Sequence, residues 1–91
     1  MVRRRRQADA IQAAVDHGRE LAGTVIGRVS DLTHDHSSVE YRTAVMVAFS
    51  SAGMVCGSSH PDQAEAEAFM IAFTVSLGAA TKDPALHLED E

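Results

Sequence analysis

His34-Asp35-His36 is the densest group of metal-type donors in the chain. Two imidazoles two residues apart, with a carboxylate between them, offer what a borderline metal such as zinc takes. A closed or catalytic site needs a third ligand and often a fourth. His60, the third donor to consider, lies beyond a helix of about 18 residues, or roughly 27 Å at 1.5 Å each. One chain therefore cannot bring His60 to His34 and His36. A plainer reading sets both histidines in solvent at the end of a first helix, where they complement its dipole.

A second grouping falls at the other end of such a bundle. If the first two helices run antiparallel around the 34–37 connector, His17 comes near the level of residues 54–56. Cys56, His60 and Asp62 are close by in sequence, so a thiolate–imidazole group is conceivable. Two features oppose it. His17 falls outside the apolar seam of its helix, and Cys56 sits in an uncharged apolar run where a thiol is inert. A buried structural cysteine is the expectation.

Arg3, Arg4, Arg5 and Arg6 form a cationic arm of the kind that contacts phosphates. From residue 7 onward there are four basic residues against thirteen acidic ones, a charge near −9. An acidic body repels nucleic acid, and no helix is rich in Arg, Lys, Asn or Gln for base recognition. Asp9, Asp16, Glu20 and Asp31 instead make an acidic surface suited to a basic partner. The sequence has no nucleophile motif, phosphate-binding glycine loop or zinc-finger spacing, and no carboxylate pair set for acid–base work. It is not expected to be an enzyme and calls for no cofactor.

Ninety-one residues make one domain, with little room for an enclosed active site. Fifteen Ala, eight Ser and six Gly, against three Phe and one Tyr, favour close helix packing over ligand-lining pockets. The single cysteine excludes an internal disulfide framework and fits a reducing compartment. The apolar runs fall short of the roughly 20 residues that span a bilayer, so a cytoplasmic location is expected.

Spacing predicts an all-α three-helix bundle running up, down and up. Residues 7–33 read as an amphipathic helix in which Ile11, Val15, Gly18, Ala22, Val25, Val29 and Leu32 recur at alternating four and three. Its three glycines imply close packing or a kink. Ser37 with Glu40 makes a capping-box signature for a second helix to about Cys56, which Gly57 is placed to end. Pro61 and Asp62 open a third helix reaching about Thr81, before Lys82 and Pro84. The division is a basic arm at 1–6, a helical domain at 7–83 and an acidic tail at 84–91. The alternative is an α+β fold with a hairpin at about 39–57, since Val39, Tyr41, Thr43, Val45, Val47 and Phe49 alternate with less apolar residues.

No charge occurs from Ala44 to Cys56 or from Ala68 to Thr81. Helices apolar all round are buried helices, and one three-helix bundle cannot surround two of them. The surplus surface predicts self-association, most simply a two-fold dimer, or docking on another protein. The expected interface is Tyr41, Val45, Met46, Phe49, Ala52 and Val55 from helix 2 with Phe69, Met70, Phe73 and Leu77 from helix 3. Gly23–Gly27 and Gly53–Gly57 share the small-xxx-small spacing that permits close helix crossing. The expectation is a non-enzymatic interaction or regulatory protein. The alternatives are a nucleic-acid-binding regulator working through the Arg arm and a metal sensor built on His34 and His36.

Overall fold

The computed structural model describes residues 2–31 and 35–86, with side chains from Gln7 onward except that of Ser30. It contains three α-helices and, among the described residues, no strand: α1 (Val2–Ser30), α2 (Val39–Ser59) and α3 (Gln63–Thr81), followed by a single 3-10 turn at Pro84–Leu86. The hairpin alternative at 39–57 is thereby excluded. The alternation that suggests it is also a helical i, i+4 pattern, and a cap at Ser38 starts the backbone as a helix.

Each helix end has a physical cause. Ser38, extended at φ −66° and ψ 148°, accepts the Tyr41 amide on its hydroxyl. The cap is thus Ser38 and not Ser37, whose amide and hydroxyl both donate to Asp35 Oδ1. Gly57 does not end α2, which runs two residues further and closes with the His60 amide donating to Cys56 O. Asp62 caps α3 by accepting the Glu65 amide. Lys82, in the left-handed region at φ 56°, ends it by donating to Gly78 O.

At its other end α1 begins at Val2, five residues before the expected start at residue 7, so the backbone of Arg3 to Arg6 belongs to α1. Arginine is a good helix former, and a polar first turn needs no core beneath it. The side chains of Arg3 to Arg6, the whole of His34 and the tail from residue 87 lie outside the described residues.

The core is centred on α3. Phe69, Phe73 and Leu77 are fully buried, and Ala14, Ala22, Ala48 and Ala52 fill the space around them. Phe49 meets Phe73 edge-on at 5.3 Å between centroids. The α1–α3 contact is tight because one residue lacks a side chain. A Cβ on Gly18 would collide with the carbonyl oxygen of Phe69 and press within 3.2 Å of Ala72 and the Phe73 amide. Gly18 therefore supplies close packing and not a kink, and α1 is one continuous helix. Gly23, Gly27, Gly53 and Gly57 behave differently: a Cβ on any of them meets nothing within 4 Å. Neither small-xxx-small pair is used for a crossing inside this chain.

Candidate functional site

Three features stand out on this scaffold: a polar cluster at each end of the bundle, and the outer face of α2.

At the first end, α1 carries His17 to the turn between α2 and α3. Nδ1 of His17 and Nε2 of His60 share a hydrogen bond of 2.9 Å across 43 residues of sequence. Behind His60, Oε1 of Glu65 stands 3.8 Å from Nδ1, an ion-pair distance. Phe69 supports both rings, at 5.0 Å from His17 and 5.2 Å from His60. Which of the two rings donates is set by their tautomers.

The second grouping expected from sequence is thus half assembled. His17 and His60 do meet, although His17 falls outside the apolar seam of α1. Cys56 is buried, and its Sγ bonds the Ala66 carbonyl at 3.6 Å. Asp62 is committed to capping α3. The member that sequence reasoning misses is Glu65, and its position in the first turn after the His60-Pro61 connector is the signal for it.

At the second end, Nε2–H of His36 donates to Thr81 O at 2.8 Å, and its ring lies 4.9 Å from that of Tyr41. This histidine does not sit free in solvent beside the α1 terminus. It ties the α1–α2 connector to the last turn of α3. Tyr41, only 2% exposed, donates its hydroxyl to Asp83 Oδ2 at 2.7 Å. The other Asp83 oxygen accepts the Ala85 amide and so starts the 3-10 turn. Burial pushes the Tyr41 phenol above its ordinary range. The hydrogen bond from Thr81 opposes this, and the bond to Asp83 and its negative charge add to it. A hollow of about 380 Å3 lies against this cluster, lined partly by Tyr41, Met46, Asp83 and Leu86.

The ten residues expected at an interface divide three ways. Tyr41, Ala52, Phe69, Phe73 and Leu77 are buried in the chain's own core, so they are fully occupied inside one copy. Val45, Phe49, Val55 and Met70 are half-buried. Met46 alone is exposed, at 69%. The wet apolar surface lies elsewhere, on the outer face of α2: Val39, Val47 and Met54 accompany Met46, with Met54 76% exposed. Thr43, Ser50, Gly53 and Gly57 are exposed between them. On α3, Ile71 and Val75 are the exposed large apolar residues.

Asp9, Asp16, Glu20 and Asp31 are all exposed, the first three on α1 and Asp31 just past its end. Asp16 accepts from the Gln12 amide and pairs loosely with Arg19 at 3.9 Å. Among the described residues, no group of three or more His, Cys, Asp or Glu gathers to hold a metal ion, and no helix is long and apolar enough to cross a membrane. No protein-family model matches the chain, and neither does any curated protein or solved structure.

Proposed function

We propose that this protein is a non-enzymatic interaction protein that pairs with a second copy of itself through the outer face of α2 and offers the acidic face of α1 to another macromolecule. The observation that carries the reading is the exposure of Val39, Met46, Val47 and Met54 on a helix with no charged residue after Arg42. Large apolar side chains gathered on one exposed face favour association.

The occupant is a second copy because the face complements itself. Two α2 helices laid antiparallel about Ser50 set Met46 against the partner's Met54. Val47 then falls opposite the partner's Gly53, and Thr43 opposite the partner's Gly57. Val47 and Thr43 each meet a glycine, and the open space over both glycines receives them. Arg42 comes to the carbonyl end of the partner's helix, where a cation is favoured, and the two helix dipoles oppose each other. A contact built on one 21-residue helix per copy belongs with the small, transient interfaces, so the association is expected to depend on concentration.

Sedimentation equilibrium of the full chain across a concentration series tests this. A mass moving from 9.7 kDa toward twice that value supports the proposal, with Met46→Glu and Met54→Glu each holding the chain at 9.7 kDa while it remains helical. A wild-type chain that stays at 9.7 kDa throughout would refute self-pairing.

A further inference from the structure

We propose that His17 and His60 form a reversible two-imidazole site for a divalent transition-metal ion of borderline character, such as zinc. Nδ1 of His17 and Nε2 of His60 already stand 2.9 Å apart. Two nitrogens bound to one tetrahedral zinc at about 2.0–2.1 Å lie about 3.3–3.4 Å from each other. The ion therefore asks for a few tenths of an ångström of separation and a turn of each ring.

The surroundings are those of a metal-binding imidazole. Glu65 faces Nδ1 of His60, the nitrogen that would not bind the ion, at 3.8 Å. A carboxylate in that position orients a histidine ligand and raises its basicity. Phe69 packs against both rings and limits how far either can swing. The His60 side chain is only 11% exposed, and Pro61 and Asp62 beside it are exposed.

The protons balance. In the tautomer that turns the His60 proton toward Glu65, His60 carries it on Nδ1 and His17 carries its own on Nδ1, donated to His60. When the ion enters, the His17 proton passes by way of water to Nε2 of the same ring. Both facing nitrogens then present lone pairs to the metal, and neither imidazole loses its proton. Two protein donors leave two tetrahedral positions for water or for a donor from another molecule, so binding is weaker than at a closed three- or four-ligand site. Occupancy would clamp α1 to the α2–α3 turn and raise the stability of the folded chain. His36 lies at the other end of the bundle, where its Nε2–H is engaged with Thr81 O.

Titration of the full chain with zinc chloride, followed by calorimetry and by 15N shifts of the histidine rings, decides the matter. The proposal expects one zinc per chain, with the large shifts at Nδ1 of His17 and Nε2 of His60. Affinity should fall at least tenfold in His17→Ala and His60→Ala, and ten- to a hundredfold in Glu65→Gln. His36→Ala should bind zinc as the wild type does. Absence of saturable binding overturns the proposal, as does binding that survives His17→Ala or ring shifts confined to other histidines. If either alanine variant loses its helical circular dichroism, the ring shifts of the wild-type chain decide by themselves.

Discussion

The hydroxyl of Tyr41, near the start of α2, donates to Asp83 Oδ2 beyond the end of α3 at 2.7 Å. This bond joins residues 42 apart in sequence, and it gives the fold an alkaline limit. Burial, reinforced by Asp83 against the opposing bond from Thr81, holds the phenol neutral above its ordinary value of 10.0. An unfolded chain releases that proton at lower pH than the folded one, so the folded state binds more protons above about pH 10. Stability is then fully present below about pH 10 and falls as pH rises beyond it. Chemical denaturation from about pH 8 to about pH 11 should show this fall in the wild type and a smaller one in Tyr41→Phe. At the lower end of that range the same variant should lose about 1.5–3 kcal/mol, the worth of a hydrogen bond to a charged acceptor.

The glycines of α1 should respond with opposite signs. Gly18→Ala forces a methyl group into the Phe69 carbonyl, and backbone cannot step aside as a flexible side chain would. Overpacking of this kind costs about 1–3 kcal/mol, which outweighs the roughly 1 kcal/mol that alanine contributes to a helix. Gly23→Ala meets open space and should stabilise the chain by up to about 1 kcal/mol. Thermal melts of the two variants compare them directly, and equal melting temperatures would contradict the α1–α3 packing.

Capping separates two adjacent serines. Ser38→Ala removes the acceptor for the Tyr41 amide and should cost about 1 kcal/mol. Ser37→Ala removes only a hydroxyl bond to Asp35 in the connector and should cost clearly less. Urea midpoints of the two variants give the ranking, and the reverse order would place the cap one residue earlier.

Phe73 and Met46 both belong to the interface that the sequence suggests, yet the fold treats them differently. Phe73→Ala empties a fully buried position and should cost roughly 3–5 kcal/mol by urea denaturation. Met46→Ala removes an exposed side chain and should change monomer stability by less than about 0.5 kcal/mol. Its effect should appear in the sedimentation mass. A Phe73→Asp chain, for the same reason, reports on folding and not on association.

The element order is legible in the sequence because local chemistry decides it. Ser38, Asp62 and Lys82 act on amides and carbonyls within four residues, so the helix boundaries are readable to within a few positions. In α1 the polar residues mark the outer face; of the expected seam Gly18, Ala22 and Val29 are buried, whereas Ile11, Val15 and Val25 are only half-buried. The exposed acids of α1 are legible in the same way.

Helices α2 and α3 offer no such contrast. Their uncharged stretches, 44–56 and 68–81, are nearly as apolar on one side as on another, so these residues do not state which side turns inward. That choice goes to Phe69, Phe73 and Leu77 because Gly18 lets α1 approach α3 closely, and it leaves Met46 and Met54 outside on α2. The pairing of His17 with His60 and of His36 with Thr81 is equally beyond local reading. Each spans more than 40 residues and depends on how three helices stack. The sequence by itself determined three helices in order and the approximate place of each, through bonds that close within a turn. Only the tertiary structure decided which apolar face is core and which histidines meet, because those contacts form between helices that share no local signal.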